Sequence, residues 1–461
     1  LAAVRTSAVS RTRAFSNCFS VDRCGDVNAI RPGLPPVPRR EIFAWAMYDF
    51  ANSGYTTVVL TAVFNAYFVG VVAGSGPDTK GVATLLWTVA MAITNLLVLL
   101  SAPVLGAIAD HGAHKKRFLA LTTVGCVAFT ALLGFVGRGD VVLGMTLVVV
   151  ATFMFSSGED FIAAFLPEIS NPKNIGRISG YGWSLGYVGG LLVLGICLVY
   201  IQTAQASGAD AAHYVPVTMW ITAAMFALAA APTFLWLRER AVAQPLSPDE
   251  NYWRVGFARV RHTLKHARHY KDLFRFLITL AVYYCGINAV IVLAAIYAQQ
   301  VMGFTMQENI FLILIVNITA AIGAFGFGMI QDFFGSVRTL AVTLAIWIAA
   351  LILAYFIDSR AGFWVVANMV GIALGASQSA GRALVGQFSP PARSAEFFGL
   401  WGLAGKLAAV IGPLTYGLVT YVSHGNHRLA LLATAVFFVV GFLLLLSVDE
   451  KRGHEAALTN P

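Results

Sequence analysis

The sequence predicts an all-α polytopic membrane protein, with twelve transmembrane helices in two pseudo-symmetric six-helix bundles. Three observations carry this. Of 461 residues, 58% are hydrophobic and 11% charged, whereas a soluble domain carries about 25% charged residues. Twelve apolar runs are long enough to cross a bilayer core, which takes about 20 residues of helix. Motifs of the first half return in the second at nearly constant spacing, as in membrane proteins built from two parallel repeats.

In chain order the spans read 43–73, 82–109, 117–136, 141–166, 177–201, 215–237, 273–301, 308–331, 337–357, 362–388, 395–422 and 428–448, delimited by Gly, Pro and charge. Runs longer than the bilayer requires tilt or extend past it. Residues 1–40 form a disordered tail with seven Arg, scattered Ser and the Pro-rich stretch from Arg31 to Pro38. An organelle transit peptide is the alternative for that composition. Residues 41–237 make the N-terminal bundle, 238–272 a linker, 273–448 the C-terminal bundle and 449–461 a tail.

Orientation follows from Lys and Arg. Connections on the side of the linker and C-terminal tail carry eighteen basic residues, nine of them between Arg238 and Arg275, against four (Lys80, Arg138, Arg360, Arg428) in the opposite loops. Both termini are therefore expected in the cytoplasm. The membrane is the inner membrane if the source is a bacterium, and a vacuolar or other organelle membrane if it is a eukaryote. The net charge of +9 follows from this topology, and nucleic-acid binding is not expected, because the basic residues form no basic face. In the linker, Trp253, Phe257, Val260 and Leu264 repeat at helical spacing opposite Arg254, Arg261, Lys265 and Arg268. That is the pattern of a basic amphipathic helix on the inner membrane surface, or of a solvated helix joining the bundles. Five scattered Cys and nine His, eight of the latter in loops, linker or tail, offer no disulfide framework, metal-ligand spacing or nucleophile–base set. No metal or cofactor is expected, and the residues argue against an enzyme.

The repeat is explicit at two helix ends. Gly106-x-x-x-Asp110, followed by Lys115-Lys116-Arg117, closes span 2; Gly328-x-x-x-Asp332, followed by Gly335 and Arg338, closes span 8, 222 residues later. Ser170, Pro172, Gly180 and Gly186 return as Ser389, Pro391, Gly399 and Gly405 at an offset of 219. A small residue lets helices approach, while acid and base at helix ends can stabilise one state of two rocking bundles. Gly106, Asp110, Lys116, Arg117, Gly328, Asp332 and Arg338 are therefore read as gating residues, with Glu168 and Arg177 joining them.

Polar and ionisable residues inside spans are the candidates for solute handling, since a charged one costs about 2.5–3.5 kcal/mol to insert and normally faces protein or a wet cavity. Asp49, Asn52, Ser53 and Thr56 share one face of span 1; Glu159 and Asp160 lie in span 4, Asn288 in span 7, Gln378 and Arg382 in span 10, and Lys406 in span 11.

The acid-and-basic loop after spans 2 and 8 resembles the signature of the major facilitator superfamily. Ala113 departs from it, standing where a second Gly is usual, which suggests a less tightly turned loop. The run Trp45-Ala46-Met47-Tyr48-Asp49-Phe50-Ala51-Asn52-Ser53 resembles the vacuole-effluxer family, which comprises autophagy-related vacuolar amino-acid effluxers and their bacterial relatives. Further resemblances are Phe165-Leu166-Pro167-Glu168, Ser179 to Trp183 with Gly186 and Tyr187, Gln378 with Arg382, and Ala395 to Gly399 with Lys406. Two departures stand out. Cys285 precedes Gly286 in span 7 where the family has an acid, and Glu159-Asp160 has no counterpart in span 4, where relatives carry a Tyr-Asn pair nearby.

The resemblance implies a monomeric secondary transporter that exports a small polar solute, an amino acid or related zwitterion, by alternating access with spans 1, 4, 7 and 10 lining the cavity. On that expectation Asn52, Asp160, Asn288, Gln378, Arg382 and Lys406 bind substrate, and Asp49, Glu159 and Asp160 are candidates for proton coupling. Arg382 and the span 4 acids facing each other would suit a zwitterion; the alternative is a static ion pair locking the halves. For Asp49, a structural bond to a neighbouring helix is the alternative to coupling. A uniporter, a carrier of lipid or another solute, and a non-transporting receptor of the same fold are the functional alternatives.

Overall fold

The computed structural model describes residues 37–74, 80–244 and 251–459. Among them twelve helices are long and apolar enough to cross a membrane: Arg39–Val72, Val82–Gly112, Lys115–Leu133, Val141–Ile169, Ile175–Ala206, Ala211–Trp236, Lys271–Ala294, Gln307–Phe334, Ser336–Phe356, Arg360–Phe388, Pro391–Val422 and His427–Leu445. They are spans 1 to 12 below, and each overlaps the corresponding apolar run. Most of the expected N-terminal tail, including Cys18 and Cys24, lies outside the described residues, as do 245–250 of the linker.

The helix ends differ on the two faces of the molecule. Spans 6, 8, 10 and 12 begin on the face away from the termini and are capped by their own loops: Asp210, Thr305, Ser359 and Asn426 each accept a backbone N–H of the first turn. Such caps satisfy the amide donors that a helix leaves unpaired. Spans 3, 5, 9 and 11 begin on the termini-bearing face and are capped from a distance. Glu239, just after span 6, accepts from Lys115 and Lys116 N–H at 2.8 and 3.1 Å. Glu450, just after span 12, accepts from Ser336 and Val337 N–H, both at 3.0 Å. The remaining two caps cross between the bundles. Asp332 of span 8 accepts from Gly176 and Arg177 N–H of span 5 at 2.9 and 3.3 Å, and Asp110 of span 2 accepts from Glu396 N–H of span 11 at 2.9 Å.

The glycine contacts follow the same two-fold relation. A Cβ on Gly106 would collide with the backbone of Ala395, and one on Gly328 with the carbonyl of Gly176. Gly180 likewise abuts Ala324, and Gly399 abuts Ala102. Moving one member of each pair by 222 and the other by 219 residues converts one contact into the other. The sequence repeat is thus a structural one, with span 2 against span 11 and span 5 against span 8. Only glycine permits that backbone approach.

Two features differ from the sequence reading, and the linker helix adds a docked face. Span 1 is not one regular helix: Thr56–Ala62 and Phe68–Val72 are wound in wider π-helical turns, an irregularity often found at functional sites. Ala113 does not loosen its turn; it adopts φ 49°, matching Gly335 at φ 89° in the second copy. In the linker helix Tyr252–Lys265, Trp253 and Phe257 remain exposed while Val255 and Thr263 are buried, and Gly256 lies against Val104 and Ile108 of span 2.

Candidate functional site

Span 1 sets its polar face against the glycine-rich face of span 5, where Gly182 lies against Asp49 and Gly186 against Ser53. This leaves the Asp49 carboxylate facing the other bundle, where it meets Arg382. The Arg382 Nη1 donates to Asp49 Oδ2 at 2.7 Å, its Nη2 to the Ser179 carbonyl at 2.8 Å and its Nε to Ser179 Oγ at 3.2 Å. Trp45 and Trp183 cover the guanidinium, their ring centroids 4.7 and 5.2 Å from its Cζ. Trp45 is itself pinned by donating Nε1–H to the Ile162 carbonyl at 2.7 Å. Arg382 is therefore fully engaged, linking spans 1, 5 and 10.

Lys406 is differently placed. Its Nζ donates to Ser156 Oγ of span 4 at 2.9 Å, and it is the cation within electrostatic reach of both Glu159 and Asp160. Gly402, one turn before Lys406, leaves the space that the Asp160 carboxylate fills. Two acids thus face one lysine. Nearby, Tyr187 of span 5 donates to Gln378 Oε1 of span 10. Asn52 of span 1 is buried with neither amide atom hydrogen-bonded among the described residues, and Asp160 Oδ2 is likewise unpartnered. Buried polar atoms without partners are costly and uncommon, and mark places where a ligand or water is accommodated. Asn288 donates to its own helix, at the Tyr284 carbonyl, 2.9 Å away; Asn317 and Asn368 do the same one turn back.

The sequence set Arg382 opposite Glu159 and Asp160. The structure pairs Arg382 with Asp49, while Lys406 acts electrostatically on both span 4 acids and Arg382 on Glu159 as well.

On the termini-bearing face the residues read from the sequence as gating divide. Lys115, fully buried, reaches Asp110 at 3.6 Å, pairs with Glu168 and donates to Ser394 Oγ across the bundles at 2.9 Å. Arg177 Nε reaches Asp332 Oδ2 at 3.4 Å. Glu396 holds Arg393 at 2.9 Å, and Glu41 holds Arg240 of the linker at 2.7 Å. Lys116 donates to the Leu237 carbonyl at 2.6 Å, within its own bundle. Among the described residues Arg117 reaches only His114 and Arg338 has no ion pair; both are exposed. Lys115 was missed at the sequence level because three consecutive basic residues give no helical phase; the left-handed Ala113 sets that phase and turns Lys115 inward.

These links between bundles reach from the termini-bearing face to Tyr187 and Lys406, each about twelve residues, or ~18 Å, into its helix.

Three comparisons locate the chain among known proteins. The family model described as "Vacuole effluxer Atg22 like" matches residues 78–458. An uncharacterised MFS-type transporter of Bacillus subtilis, YxiO, is 27% identical over 417 residues, covering 90% of this chain and 96% of that protein. Autophagy-related protein 22-1 of Aspergillus fumigatus is 24% identical over 307 residues, 61% of this chain; the alignment spans about half, 49%, of the fungal protein. Among solved structures, the human organic anion transporter MFSD10 superimposes with a TM-score of 0.70 at 13% identity, covering 89% of this chain and 100% of that one, a likeness of fold.

Proposed function

The chain belongs to the Atg22-like vacuole effluxer family, with the multi-pass fold of a major facilitator transporter, and on that premise we propose that it exports an amino acid or related zwitterion by proton-coupled alternating access. The observation that carries this reading is the unbalanced polar cluster between spans 4 and 11. Lys406 receives the solute carboxylate. With Lys406 on the solute carboxylate, Glu159 and Asp160 hold two negative charges, one for the solute ammonium and one for a proton to balance. The free amide of Asn52 and the side chains of Gln378 and Asn288 complete the seat.

Arg382 and Asp49 have a different part. Their pair, with the crossed caps of Asp110 and Asp332, holds the termini-bearing end shut while the opposite face admits the solute. Rocking the bundles breaks these links and opens the termini-bearing side. The protein acts as a monomer, and the excess of Lys and Arg puts both termini in the cytoplasm.

Equilibrium binding of labelled amino acids to the detergent-solubilised protein tests the seat. Saturable binding that Lys406→Gln weakens at least tenfold, and Asn52→Ala weakens less, is expected. Binding indifferent to Lys406→Gln refutes the assignment.

A further inference from the structure

A cavity of about 650 Å³ opens on the termini-bearing face, apart from the central cluster. Its walls come from four parts of the chain: His111 at the end of span 2, Arg259 and His262 of the linker helix, Arg393 beside span 11, and Leu458 of the C-terminal helix Glu450–Leu458. Two guanidiniums share one carboxylate here. Glu396 accepts from Arg393 Nε at 3.0 Å and Nη2 at 2.9 Å. Arg259 Nε stays 3.8 Å from that carboxylate, and among the described residues its Nη groups donate to neutral oxygens, of Gln244 at 3.2 Å and Ala392 at 3.3 Å. Asp110, the other nearby acid, shares Lys115 with Glu168. The Nη groups of Arg259 are thus left without a carboxylate partner among the described residues. Desolvation, His266 and Arg393 hold the His262 imidazole below its ordinary pKa, in keeping with a positive field. His111, only 7% exposed, has an Nε2 without a hydrogen-bond partner among the described residues, and a buried polar atom in a cavity wall calls for a ligand.

We propose that this cavity binds a phosphate monoester, its phosphoryl group between Arg259 and Arg393 with His111 and His262 donating to it. Guanidinium forks match phosphate oxygens in charge and geometry. The volume falls within the roughly 300–1,000 Å³ of small-molecule sites, and Val255, Ala258 and Leu458 supply an apolar wall for the organic part. Because the walls belong to both bundles, the linker and the C-terminal helix, the ligand holds the termini-bearing end closed. It is a regulator of the cycle and not its cargo. A soluble organophosphate and a phospholipid headgroup share this chemistry; the exposed Trp253 and Phe257 on the same helix suit the latter.

The test measures binding to the full chain in nanodiscs. One arm titrates glycerol 3-phosphate into neutral-lipid discs by calorimetry. The other counts phosphatidic acid retained on the released protein by native mass spectrometry. Saturable binding is expected in one arm, identifying the source. Arg259→Gln should weaken it at least tenfold, and so should Ala258→Glu, which puts a carboxylate into the cavity from an exposed position without touching the ion network. Absence of binding in both arms, or binding that neither substitution weakens, overturns the proposal. No transport is measured, so the result stands apart from the proposed export activity.

Discussion

Replacing Arg382 with Gln should open the termini-bearing end. The side chain makes three hydrogen bonds, to Asp49 at 2.7 Å and to Ser179 at 2.8 and 3.2 Å, and lies between Trp45 and Trp183. Every partner is on spans 1 or 5 while Arg382 is on span 10, so the loss falls on the contact between bundles. Removing one member of a buried ion pair costs about 3–5 kcal/mol, mostly because the other charge is left uncompensated. At about 1.4 kcal/mol per factor of ten, the closed state loses roughly a hundred- to several-thousand-fold in relative population. Spin labels at Arg117→Cys and Arg338→Cys, on a background without native cysteines, report the opening by pulsed dipolar spectroscopy, since both exposed sites begin their helices on that face in opposite bundles. A dominant short distance in the parent and a dominant longer one in Arg382→Gln are expected. Asp49→Asn with Arg382→Gln should shift less, because no buried charge is orphaned. An unchanged distribution in Arg382→Gln refutes the argument that this pair closes the bundles.

Other consequences follow from the same contacts. Lys115→Gln leaves Asp110 and Glu168 without their shared cation and should cost about 3–5 kcal/mol, whereas Arg117→Gln, at an exposed site, should stay within about 0.5 kcal/mol; denaturation midpoints in mixed micelles compare them. Gly328→Val drives a side chain into the Gly176 carbonyl and Gly180 Cα. Overpacking of about 1–3 kcal/mol should lengthen the Arg117–Arg338 label distance, and a Gly328→Ala variant should do so less. Ala113→Gly relieves the left-handed backbone at φ 49° and should stabilise the protein by about 1 kcal/mol, raising the midpoint.

How far the sequence could be read depended on periodicity. Spans were legible because twenty apolar residues in helix have few other fates in a bilayer. The repeat was legible because glycines and acids at helix ends stand out in apolar surroundings, and the contacts between Gly106 and Ala395 and between Gly328 and Gly176 give it its structural meaning. Pairing across the centre was not legible. Arg382 lies at comparable depth to several acids, and the choice of Asp49 over Asp160 depends on Gly182 and Gly402, whose missing side chains let each carboxylate settle beside its neighbour. The distant caps Glu239 and Glu450 were hidden for a related reason, since a cap from another element leaves no local motif. The linker helix was legible as a helix, but its docked face, Val255, Gly256 and Thr263, lies off the stripe of Trp253 and Phe257 that dominates its apolar pattern.

Flux in proteoliposomes puts the proposed proton-coupled zwitterion seat at Lys406 to the test. Labelled amino acids would be offered with and without an imposed proton gradient to the parent, Lys406→Gln and Asp160→Asn proteins. Saturable, gradient-driven flux is expected in the parent and none in Lys406→Gln; in Asp160→Asn, exchange persists without accumulation. Gradient-driven accumulation that survives both substitutions contradicts it.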